Sequence, residues 1–206
     1  MSSYKMKNTD SIFRSIFISV LIANMSIAMY HRLQAAKSGE KISRVEEGKV
    51  ILFLRVVGGL TLWLSILAYA IFPRSMEWST LSVVTLLRWI AVGFAVLSVP
   101  MLYWVLRNLG RNLTDTVVLR KNHTLVTTGP YRWIRHPFYT VVFGSLFFLS
   151  LLAANWFIGL MTILMFIIIV IRTDKEEEML IKRFGDDYRR YMQRAGRFLP
   201  RFGILK

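Results

Sequence analysis

The chain has 206 residues, 54% of them apolar, with a positive mean hydropathy and a formal net charge of +15. That is more apolar surface than one compact water-soluble core of this size can hide, so a bilayer is the natural solvent. The chain has no cysteine, which excludes disulfides, thiolate metal sites and a cysteine nucleophile; no metal is expected.

In chain order, the nearly uncharged windows are Phe13–Tyr30, Val50–Phe72, Trp89–Leu106, Phe138–Ala153 and Trp156–Ile171. Each approaches the roughly 20 residues a helix needs to cross about 30 Å of hydrocarbon, so the expectation is an all-α integral membrane protein with about five transmembrane helices. The first window lacks a small-x-small cleavage pattern before His31 and Arg32 and reads as a retained helix rather than a signal peptide. Pro100 falls inside the third window, where a missing backbone donor favours a kink. The last two windows, separated by Ala154 and Asn155, read as a tight helical hairpin.

The basic residues do not gather into one nucleic-acid patch. They partition by loop: with five spans, the segments 31–49, 107–137 and 172–206 share one side and carry 5, 6 and 10 Lys/Arg, 21 in all, against 5 on the other side. This positive-inside bias places the N-terminus outside and the C-terminus in the cytoplasm.

Residues 1–106 read as a three-span scaffold and 107–206 as a catalytic region, the two forming one structural domain. After Arg107 the β-prone tetrapeptides Thr116–Leu119 and Thr124–Thr127 read as a small hairpin at the membrane surface, and Gly129-Pro130 turns the chain. Beyond the fifth span, Leu180, Phe184, Tyr188, Tyr191 and Ala195 recur at three- and four-residue spacing. They predict an amphipathic helix or pair of helices over Glu176–Ala195, divided at Gly185.

Two segments could carry chemistry. Tyr131-Arg132-Trp133-Ile134-Arg135-His136-Pro137-Phe138-Tyr139 leads into the fourth span with Pro137 suited to the first helical turn, where unpaired amides favour an anion near Arg135 and His136. A plain interfacial belt of arginines and aromatics explains the same residues. Arg172–Glu178 follows the fifth span. Thr173 and Glu176 fit a capping box, yet Glu176 and Glu177 border the face expected to pack inward, where carboxylates need partners.

Together these pieces resemble the isoprenylcysteine carboxyl methyltransferase family and related phospholipid methyltransferases. The resemblance runs over about residues 110–202 and rests on His123–Tyr131, Arg135–Tyr139, Arg172-Thr173, Glu176-Glu177, Phe184–Tyr188, Tyr191 and Leu199-Pro200. It implies an S-adenosylmethionine site without a Rossmann fold, built from the cytoplasmic loop, the last spans and the helical tail. By position, His123, Thr124, Leu125, Val126, Tyr131, His136, Pro137, Phe138, Tyr139 and Glu176 would bind the cofactor. Arg135 and Arg172 would be catalytic anchors, and with Glu177 would meet the substrate.

A carboxylate acceptor is already ionised at neutral pH and needs a cation rather than a base. Two arginines favour that acceptor, on an isoprenylcysteine-like or otherwise lipophilic substrate drawn from the membrane lipid. An amine acceptor would need a base, for which Glu177 and His136 are the candidates. A homodimer is also compatible with the spans. The non-enzymatic rival, a membrane scaffold or transporter subunit, predicts ionisable residues or broken helices near the midplane, and the spans offer almost none.

Overall fold

Uncharged runs in hydrocarbon become helices because each backbone N–H and C=O must find a partner within its own segment. The computed structural model describes residues 2–36, 48–110 and 124–201. Its α-helices are α1 (Ser2–Ala36), α2 (Lys49–Ile71), α3 (Thr85–Leu109), α4 (Pro137–Leu152), α5 (Trp156–Phe184) and α6 (Asp186–Arg194). Short 3-10 turns occupy Pro73–Ser79 and Gly129–Arg132.

Helices α1, α2, α3 and α5 are each long and apolar enough to cross a membrane. Helix α4 has 16 residues, a length of about 24 Å, short of the usual hydrocarbon thickness. It nonetheless joins both ends of the bundle, because the turn after it pairs with the α2–α3 connection. There Leu81 N donates to Ala154 O at 2.7 Å, and Asn155 Nδ2 donates to Ser79 Oγ at 2.7 Å. Arg88, at the same end, donates to Leu152 O at 3.0 Å and to Asp10 at 2.6 Å, with its guanidinium over the Phe13 ring.

The largest apolar cluster draws on all five of these helices, including Phe13 and Phe17 from α1, Ile66 from α2, Ala95 from α3, Leu149 from α4 and Ile158 from α5. Gly58 lets α2 approach α5 closely: a Cβ there would lie 2.8 Å from Met165 Sδ. Small residues serve this purpose where lipid supplies no hydrophobic drive between helices.

Two expectations change. The fifth span and the first half of the amphipathic tail are one continuous helix, so Thr173 is no N-cap. Its hydroxyl donates to Ile169 O at 2.6 Å within α5, and the Thr173–Glu176 capping box does not form. The stop comes at Gly185, whose φ of 56° lies where a side chain is disfavoured. Thr124–Thr127 has no strand pairing; its expected partner, Thr116–Leu119, lies outside the described residues. Pro100 sits within the unbroken extent of α3.

Asn155 is the joint of the far end, since its Oδ1 also accepts from Ile158 N at 3.0 Å and caps α5. Asn155→Ala removes a cap and a buried hydrogen bond together. It is expected to cost about 2 kcal/mol, measured as a lowered unfolding midpoint in detergent.

Candidate active site

The polar side chains collect at the opposite end, where α4 begins, α5 leaves its apolar stretch and the tail returns. The tail is docked by backbone first. Ile134 and Gly196 form a parallel bridge, Arg135 N donates to Gly196 O at 2.8 Å and His136 N to Arg197 O at 3.0 Å. Thr140 Oγ1 donates to Phe198 O at 2.7 Å. Gly196 is required here, because a Cβ would collide with Leu199 O. The amides of Arg135 and His136, just before α4, are thereby taken up by carbonyls of the tail.

Glu177 lies at the centre, 7% exposed. Its Oε1 is 2.8 Å from Arg135 Nε and 3.0 Å from His136 Nε2, with Tyr188 OH at 3.5 Å. Arg135 also donates through Nη1 to Ala195 O at 2.6 Å and Met192 O at 3.2 Å. Its guanidinium therefore ties α5 to the end of α6 as a brace. Arg197, on the tail, pairs with Asp174 at 2.6 Å.

A second chain of contacts runs beside it. Arg172, buried at 3% exposure, donates through Nη1 to the Tyr139 hydroxyl at 2.7 Å. Tyr139 OH donates to Glu176 Oε2 at 3.0 Å. Glu176 is half-buried, unlike its neighbour. The Tyr139 ring stacks near His136 and stands 5.7 Å from the Phe138 ring.

The remaining expected residues are distributed around this core. Tyr131 is buried with Leu102, Leu106 and Val141, and Val126 packs against that cluster. Leu125 packs instead against Leu180, Tyr188 and Tyr191. The 124–126 segment thus bridges the α3–α4 end and α6, while Thr124 is exposed. Pro137 is buried in the first turn of α4, and His123 lies outside the described residues.

Sequence reading missed Tyr188 and Arg197 as partners of the acidic segment. Tyr188 was visible as a member of the apolar stripe and of the Phe184–Tyr188 motif, with no sign that its hydroxyl meets Glu177, and Arg197 only as one tail cation among several. Burial raises the pKa of the Tyr131, Tyr188 and Tyr191 phenols, which keeps them protonated as donors. Tyr191 uses its proton to hold Tyr131 O at 2.5 Å.

From the site end a chamber of about 260 Å³ extends between α1, α2, α3 and α4. Arg32 and Phe138 mark one end of it and Leu21 and Leu149 the other, with Trp63, Leu102 and Leu146 among its walls. Its span along α4, from Phe138 to Leu149, is about 16 Å.

The fold and site define a multi-pass integral membrane protein with a polar centre at one end of its helices and a mostly apolar chamber among α1, α2, α3 and α4. Residues 91–182 match the isoprenylcysteine carboxyl methyltransferase family. The matched interval begins within α3 and ends within α5, so the expected likeness of the segment after 182 lies beyond it. The chain is 31% identical over 149 residues to human protein-S-isoprenylcysteine O-methyltransferase, covering 70% of this chain and 50% of that protein. It is 25% identical over 138 residues to the uncharacterized protein YpbQ of Bacillus subtilis, covering 66% of this chain and 77% of that one. The structure of the eukaryotic intramembrane Ras methyltransferase ICMT shares the fold, with a TM-score of 0.55 over 90% of this chain and 67% of that one, at 21% identity. The resemblance carried by the sequence is borne out: the chain is similar to the isoprenylcysteine carboxyl methyltransferase family over residues 91–182, and it spans half the length of the human enzyme it matches.

The two glutamates should separate in a stability measurement. Glu177→Ala strands Arg135 in a buried setting and is expected to cost about 3 kcal/mol or more. The Glu177→Ala/Arg135→Ala double variant should lose less than the sum. Glu176→Ala removes one hydrogen bond from a half-open position and should cost about 1 kcal/mol. Equal losses on unfolding in detergent would show that Glu177 does not anchor the tail.

Proposed function

We propose that this chain is an S-adenosylmethionine-dependent methyltransferase that esterifies a carboxylate on an isoprenylcysteine-like lipophilic substrate, working at the cytoplasmic face. The observation that carries the reading is the Arg172–Tyr139–Glu176 chain, which runs from a buried guanidinium to a half-buried carboxylate within the family-matched interval.

The residues fit the cofactor chemically. Glu176 is half-buried and offers a carboxylate to a ribose diol or an ammonium group. The faces of Phe138 and Tyr139 suit a sulfonium by cation–π attraction. Thr124, Leu125 and Val126 lie across the same end, and His136, Pro137 and Tyr131 hold the start of α4 in place around it. When bound, S-adenosylmethionine supplies an activated methyl group for in-line displacement.

The protein's own contribution is alignment and exclusion of water. Arg172 supplies the positive charge that holds an acceptor carboxylate, and burial strengthens that attraction relative to water. Tyr139, fixed between Arg172 and Glu176, sets the separation between acceptor and donor sites. Arg135 and Glu177 act as positioning residues, since their groups bind each other and the tail. The apolar tail of the substrate occupies the chamber between α1 and α4.

An amine acceptor would draw on the His136–Glu177 pair as base. Against the opposing effect of burial, hydrogen bonds from His136 and Arg135 keep the Glu177 carboxyl well below the usual range and make it a poor proton acceptor. The carboxylate reading is therefore preferred.

Calorimetry on the detergent-purified protein should show S-adenosylmethionine binding, weakened about tenfold or more in Glu176→Ala. Arg172→Ala should keep cofactor binding and lose methylation of a farnesylcysteine analogue. Absence of cofactor binding in the wild type would defeat the enzyme reading, and activity confined to an aminophospholipid would replace the carboxylate by an amine.

A further inference from the structure

The chamber is not uniformly apolar. Part-way along it Asn24 of α1 meets Ser98 of α3 and Ser145 of α4. Asn24 Nδ2 donates to Ser98 Oγ at 3.1 Å and to Ser145 Oγ at 3.0 Å. The serines are 2.9 Å apart, and Ser98 Oγ also reaches Ala95 O at 2.6 Å. Both hydrogens of the amide nitrogen are thereby used.

The amide oxygen is not. Asn24 Oδ1 is buried and has no hydrogen-bond partner among the described residues, on a side chain that lines the chamber. Polar side chains at such depth often join helices, and the two serine contacts do that. Joining alone does not account for an acceptor left over in an apolar surround, where a missing partner is costly. A ligand in the chamber that brings a donor to this height would complete the set.

We propose that Asn24 is a specificity-determining residue: its Oδ1 accepts a hydrogen bond from a hydroxyl carried part-way along the apolar tail of the acceptor. Within the lipophilic substrate class proposed above, an acid hydroxylated part-way along its tail is then bound in preference to one with a plain hydrocarbon tail. This rests on the proposed use of the chamber for the substrate tail. Ser145 lies seven residues beyond Phe138, so the hydroxyl sits about 10 Å from the reacting end.

The test is equilibrium binding to detergent-purified protein of three probes: octadecanoic acid hydroxylated near its midpoint, the same acid hydroxylated at its terminal carbon, and the unsubstituted parent. The wild type should favour the midpoint hydroxyl over both others by about tenfold. Asn24→Leu should abolish that preference while still binding the parent. Ser98→Ala, which alters the helix-joining cluster at a residue outside the chamber lining, should retain it. Should Asn24→Leu fail to fold, Asn24→Ala takes its place.

Equal binding of all three acids by the wild type, no binding of any, or loss of preference in Ser98→Ala as in the Asn24 variants would each overturn the assignment. Methylation is read separately. Its absence with the binding preference intact would remove the proposed reaction and leave the hydroxyl-reading role standing.

Discussion

The site end depends on one buried carboxylate that cannot be left alone. Glu177 projects from α5 just past the apolar stretch, where an unpaired charge would be severely penalised. Its partners come from two separate parts of the chain: Arg135 and His136 before α4, and Tyr188 on α6. Arg135 extends the tie to the carbonyls of Met192 and Ala195. A single charge thus fixes the entry of α4, the end of α5 and the return of the tail relative to one another. The geometry of Arg172, Tyr139 and Glu176 follows from that frame.

Much of this was legible in the sequence, for a physical reason. Hydrocarbon imposes helices on long uncharged runs, so each window reappears as a helix; α2, α3 and α4 end within a few residues of the expected limits, while α1 and α5 run well past theirs. The stripe Leu180, Tyr188, Tyr191 and Ala195 packs as its spacing requires, and Gly185 divides the helices where a side chain would be strained. What sequence spacing misjudged was local versus distant partnership. Thr173 and Glu176 satisfy a capping pattern three residues apart, but the helix runs straight through them. Likewise, the amides of Arg135 and His136 bond to a tail some sixty residues later. No local pattern contains that pairing. The Asn24–Ser98–Ser145 cluster is hidden for the same reason, since each residue alone is one small polar side chain in an apolar helix.

The structure also redistributes the roles of the two arginines. Adjacent motifs made Arg135 and Arg172 equal candidates for holding an acidic group. Arg135 is committed to Glu177 and to the α6 carbonyls, whereas Arg172 is turned toward the Tyr139 hydroxyl and the half-open Glu176. The first arginine builds the frame and the second faces the chemistry proposed for it. The same separation applies to the glutamates, one enclosed and one accessible, although they are sequence neighbours.

Helix α4 has a further consequence through its length. It carries the site at its first turn and is shorter than the neighbouring spans, which creates a hydrophobic mismatch along one flank of the bundle. A bilayer meets such a helix by thinning locally. Headgroups beside α4 are then drawn toward the midplane at the place where the chamber and the polar centre adjoin. For the lipophilic substrate proposed, an amphiphile diffusing in that leaflet would arrive with its head already near the level of Tyr139, and the deformation of the membrane would do part of the work of presenting it.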